Sequence, residues 1–138
     1  MIRTQKRKEV KKLKIKVPFN LDDVKELKPV PSGNYLCEVK KLDPKTSSTG
    51  NPMIVWQFMI LEGEFKGMAP FFYNTVLVEQ SGFNLKNLLE VIDVEWEMEG
   101  KVCVFESSDC LKKQLVVIAG LTDYHGKPTN SVEGFLPA

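Results

Sequence analysis

The sequence predicts a mainly β domain in which five strands close into a barrel, with one helix between the third and fourth strands. Three observations predict it. Five segments between Asn34 and Leu121 are rich in β-branched and aromatic residues, and the clearest of them alternate apolar and polar positions. One ten-residue segment, Phe83 to Ile92, places its apolar residues at 85, 88, 89 and 92, which is helical spacing. Clusters of Pro, Gly, Asn, Asp and Ser punctuate the remainder.

The elements follow in order. Asn20 to Leu27 reads as one short helix, with Asn20 as its N-cap and Asp22 and Asp23 at the positive end of the helix dipole. Pro29 and Pro31 stop it, so residues 1–30 form a basic arm with a short helix and residues 31–138 form the folded domain. The first strand is expected from Asn34 to Leu42, with Tyr35, Cys37 and Val39 sharing a face. Pro52 to Leu61 has the strictest pattern, Ile54, Trp56, Phe58 and Ile60 against Val55, Gln57 and Met59. The third strand is Met68 to Val78, the fourth Gly100 to Glu106 and the fifth Gln114 to Leu121. The order β-β-β-α-β-β is that of the OB-fold, a five-stranded, partly open barrel that binds oligonucleotides or oligosaccharides.

Composition narrows the function classes. The chain has 138 residues, 43% hydrophobic and 27% charged, which excludes wholesale disorder. No apolar run approaches the roughly 20 residues that span a bilayer, and no apolar stretch follows the basic start as in a signal peptide. No membrane partner and a cytoplasmic location are expected. The net charge of +1 hides an asymmetry: residues 1–16 hold eight basic residues against Glu9, a net of +7, leaving −6 for the rest. Such an arm is either a solvated leader or a holder of polyanions.

Chemistry-bearing residues point away from catalysis. Cys37, Cys103 and Cys110 lack paired metal-ligand spacing, and His125 is the single histidine, so no metal or cofactor is expected. Glu90, Asp93, Glu95, Glu97 and Glu99 could hold Mg²⁺ in a small nuclease. Their alternation with Val94, Trp96 and Met98 reads instead as a solvated edge. The chain is expected not to be an enzyme.

A binding surface is better supported. The loop Asp43 to Pro52 offers small polar residues, among them Lys45 and Asn51, whose hydroxyls and backbone N–H groups suit phosphate oxygens. Phe71, Phe72 and Tyr73 are consecutive, so strand alternation sends at least one to each face. Phe72 is expected inward, because Val76 shares its parity, leaving Phe71 and Tyr73 as a stacking platform. Trp56 belongs either to the core or to that platform. Lys40, Lys41, Lys45, Lys66, Lys112 and Lys113 could frame one groove around these rings. Seventeen of the 19 basic residues are lysine, which suits backbone neutralisation better than base reading.

Pro31-Ser32-Gly33-Asn34-Tyr35, Lys45 to Ile54, Phe58, Gly63 to Gly67 and the closing stretch Tyr124 to Val132 carry a likeness to a family. Over residues 31–135 the chain resembles the bacteriophage OB-fold single-stranded DNA-binding proteins. The resemblance implies sequence-independent binding of single-stranded DNA in phage DNA replication or recombination, with proteins of those processes as further partners. Met68-Ala69-Pro70 replaces the basic residues usual after Gly67, and the closing residues Glu133 to Ala138 lack an acidic tail. The rival expectation is a protein-interaction or phage structural module whose second aromatic face is a subunit interface.

Overall fold

The computed structural model describes residues 12–23 and 29–138. In chain order its elements are β1 (Gly33–Thr46), β2 (Pro52–Ile60), β3 (Phe71–Val76), α1 (Gly82–Val91), β4 (Glu97–Glu99), β5 (Val102–Val104), α2 (Ser107–Cys110), β6 (Gln114–Tyr124) and β7 (Lys127–Pro137). The expected N-terminal helix is seen only as a 3-10 turn, Leu21–Asp23, where Asp22 N–H donates to Asn20 Oδ1 at 3.0 Å. Residues 24–27 of that expectation lie outside the described residues.

The alternation of β2 decides the packing. Ile54, Trp56, Phe58 and Ile60 are all buried, while Met53, Val55, Gln57 and Met59 are half-buried on the opposite face. Antiparallel pairing extends each inward row across neighbouring strands: Phe58 lies between Val39 and Phe71, and Cys37 between Ile60 and Leu115. The register is specified because a one-residue slip would send these rows to the wrong face. Leu88, Leu89 and Ile92 bring α1 and its end onto this core, as their helical spacing requires. No helix among the described residues is long and apolar enough to cross a membrane.

The barrel expectation is corrected. Five strands form one open antiparallel sheet in the order β3-β2-β1-β6-β7, and no ladder joins β3 to β7. Tyr73 and Phe135 meet edge to face there, ring centroids 5.0 Å apart, so side chains cover the seam where a closed barrel would have backbone hydrogen bonds. The strand membership differs as well. Val102–Val104, within the expected fourth barrel strand Gly100 to Glu106, pairs among the described residues with β4 alone, in a separate two-stranded hairpin. The place beside the expected fifth strand is taken by β7, read from sequence as a closing stretch.

Strand limits also moved. β1 runs four residues past Leu42, with Pro44 in it. Its first part pairs with β6, and from Lys41 to Thr46 it pairs with β2 alone. Proline without an N–H is tolerated on such an edge. β3 begins at Phe71, after Pro70, and not at Met68.

Candidate nucleic-acid interface

Register rows define which polar and aromatic side chains share the outer face of the sheet. Lys41 lies opposite Gln57, and Gln57 opposite Phe72, so one row crosses β1, β2 and β3. The next rows are Asp43, Val55 and Asn74, then Lys45, Met53 and Val76. Phe72 is 52% exposed, and Lys41 Nζ stands 3.3 Å from Asp43 Oδ2 at the surface. Here the sequence expectation was inverted: Phe71 is fully buried and Phe72 faces out. The cause is register. Phe71, Tyr73 and Thr75 lie opposite Phe58, Trp56 and Ile54, the inward row of β2.

The inward row includes two residues expected on a platform. Trp56 is fully buried, and its Nε1–H donates to Thr75 Oγ1 at 3.0 Å. Tyr73 is half-buried against Phe135, with burial raising its phenol pKa above the ordinary value. Trp56 and Phe71 therefore stand in the core, and neither offers a free ring face.

Lysines gather at one place. β1 carries an extra residue between Val39 and Lys41, a bulge that puts Lys40 outside the regular pairing. Lys112 takes a left-handed conformation, φ +67°, and its N–H donates to Val39 O at 2.8 Å. Val39 N–H in turn donates to Lys113 O at 2.9 Å. The backbone thus brings Lys112 and Lys113 beside Lys40 and Lys41. Lys40, Lys41 and Lys112 are exposed and Lys113 is half-buried.

The remaining expected residues are dispersed. Lys45 and Asn51 flank the β1–β2 turn, where Gly50 takes φ +88°. That turn spends its donors internally: Ser47 N–H on Asn51 O, Gly50 N–H on Ser47 O and Asn51 N–H on Ser47 Oγ. It is a closed polar turn, with less backbone free for phosphate than its composition suggested. Lys66 lies in the turn past Ile60, where Gly67 N–H donates to Ile60 O. The length of β2, roughly 26 Å at about 3.3 Å per residue, separates it from Lys45. Lys66 therefore lies at the opposite end of β2 from Lys45 and Asn51.

Tyr124, offered by the sequence only within the closing stretch of the resemblance and not as a site residue, is 64% exposed at the tip of the β6–β7 hairpin, its ring 4.2 Å from that of His125. Positive φ at both His125 and Gly126 makes this a two-residue left-handed turn. The His-Gly pair shortly after the predicted fifth strand was the available signal.

Nucleophile and metal chemistry gain nothing here. Burial pushes the Cys37 thiol up to about 12 and the Cys110 thiol up to about 11, so both are protonated core groups at neutral pH. Glu95, Glu97 and Glu99 are exposed, and no three His, Cys, Asp or Glu side chains among the described residues are grouped so as to hold a metal ion.

One family model, described as a protein of unknown function (DUF669), matches residues 17–138. The chain belongs to that family. No curated protein matches it.

Proposed function

We propose that this family member binds single-stranded DNA without sequence preference, along the outer face of β1–β3 and the lysines at its margin. The observation that carries the reading is the row Lys41, Gln57 and Phe72, an exposed ring on an open sheet face beside Lys40, Lys112 and Lys113. A base stacks on any exposed aromatic face, because every base has a π-face, and this contact carries no sequence information. Lysine ammonium groups neutralise the backbone as point charges, again without reading bases. The half-buried Met53, Val55 and Met59 give the same face an apolar floor on which further bases can lie. The resemblance of residues 31–135 to phage single-strand binders supports a setting in replication or recombination.

A fluorescence titration with labelled oligo-dT at two salt concentrations, with duplex DNA as competitor, tests the reading. Salt-sensitive binding of oligo-dT that duplex displaces poorly is expected. Duplex bound more tightly than oligo-dT, or no binding at low salt, would overturn it.

A further inference from the structure

Residues 12–19 read Lys-Leu-Lys-Ile-Lys-Val-Pro-Phe, a period-two pattern with lysines on one side and large apolar residues on the other. The structure leaves the apolar side uncovered: Leu13 is 77% exposed, Ile15 81%, Val17 41% and Phe19 60%. A segment with this alternation is a strand in want of a partner edge. The folded domain carries the complementary pattern. Glu95-Trp96-Glu97-Met98-Glu99 alternates carboxylates with apolar side chains, and Glu97–Glu99 is β4.

β4 pairs only with β5, and its other edge carries no strand among the described residues. Two-stranded hairpins are marginal in water and gain independent stability from a third strand. On this hairpin Met98 and Cys103 share one face, Sγ and Sδ 3.4 Å apart, with Met98 itself exposed. Glu97 and Glu99 share the other face with Val102 and Val104.

We propose that residues 12–17 of one copy add as a third strand to the free edge of β4 in a second copy. Lys12, Lys14 and Lys16 then face Glu95, Glu97 and Glu99, while Leu13 and Ile15 lie across from Met98 and Trp96. Strand addition supplies main-chain hydrogen bonds, and the alternating side chains set register and partner. Opposite charges directly across strands are favourable and like charges are not, so a lysine-bearing edge such as Lys41–Lys45 is a poorer partner for the arm than the carboxylate-bearing edge of β4. The charge balance fits as well: the arm's net +7 meets a remainder of net −6. The occupant is a second copy because the single chain leaves its own arm strand exposed. Reciprocal exchange closes as a two-fold dimer. This inference does not depend on the DNA reading, and it is tested without nucleic acid.

Sedimentation of the full chain is expected to show a concentration-dependent dimer. Lys14→Glu with Lys16→Glu, and separately Glu97→Lys with Glu99→Lys, should each give monomers that melt cooperatively. The four substitutions combined should restore the dimer. A wild-type chain monomeric at all concentrations, or charge reversals that leave dimers intact, would overturn the proposal. Zero-length lysine–carboxylate cross-linking of a mixture of unlabelled and nitrogen-15-labelled wild-type chains provides a measurement independent of variant folding. Mixed-isotope links between residues 12–16 and residues 95–99 support exchange. Links confined to one isotope show the arm folded back on its own hairpin and reject exchange between copies.

Discussion

At the residue scale, one buried hydrogen bond explains why β3 faces as it does. Trp56 Nε1–H is a donor in the core and needs an acceptor there, and Thr75 Oγ1 supplies it. Thr75 is itself buried, so turning β3 by one residue would strand both groups as well as expose Phe71. The sequence shows three successive aromatics but not this pairing, because parity within one strand says nothing about its neighbour's register. Aligning Thr75 with Trp56 would have given the right face. The two faces predict opposite phenotypes. Phe71→Ala should destabilise the fold by about 3–5 kcal/mol, the usual loss for an emptied aromatic core site. Phe72→Ala should leave the melting temperature nearly unchanged and cost about 1–3 kcal/mol of oligo-dT affinity, one stack's worth. Thermal melts and titrations of both variants check this, and equal affinity for Phe72→Ala and wild type would remove Phe72 from the interface.

At the element scale, what was legible follows how much apolar alternation each element needs. β2, the first half of β1 and α1 each bury one face, so their periodicity was readable. β7 was not, because Lys-Pro-Thr-Asn-Ser-Val-Glu-Gly-Phe-Leu-Pro contains two prolines and a glycine and is an edge strand that buries little. Its place comes from the ladder with β6 and from the two-residue turn before it. β5 shows the converse: Val102 and Val104 alternate as a sheet strand would, yet Val102 is exposed on a two-residue-turn hairpin. The lysine cluster was partly legible, since Lys40 and Lys113 were named but the bulge that joins them was not. β7 also holds the root of the arm. Asn130 Oδ1 accepts from Val30 N–H at 2.9 Å, and its Nδ2 donates to Val30 O at 2.9 Å and to Gly120 O at 3.0 Å. A side-chain amide thus acts as one strand residue toward buried Val30. Asn130→Ala should cost about 1–3 kcal/mol by leaving these backbone groups unpaired. Amide hydrogen exchange should accelerate at Val30 while β1–β2 amides keep their relative protection. Slow exchange at Val30 in the variant would show that Asn130 does not anchor the arm.

At the scale of the whole molecule, charge separation along the chain sets how the arm and the sheet share work. Residues 1–16 carry +7 and contribute no buried side chain among those described, whereas the core is built from residues 30 to 119. Removing residues 1–16 should therefore leave a cooperative melting transition, now of a monomer and independent of protein concentration. On a single strand each lost phosphate contact lowers the log–log salt slope of binding by roughly 0.7, so the slope should fall by that amount for every contact the arm made. The sheet's own lysines and Phe72 would keep a weaker, flatter affinity. Removing residues 1–11 alone separates the arm's two roles, because Lys12, Lys14 and Lys16 remain for the hairpin edge while Arg3, Lys6, Arg7, Lys8 and Lys11 are gone. That shorter deletion should lower the salt slope and preserve the dimer. An unchanged slope in both truncations would show that the arm never touches DNA, and the basic block would then serve subunit contacts alone.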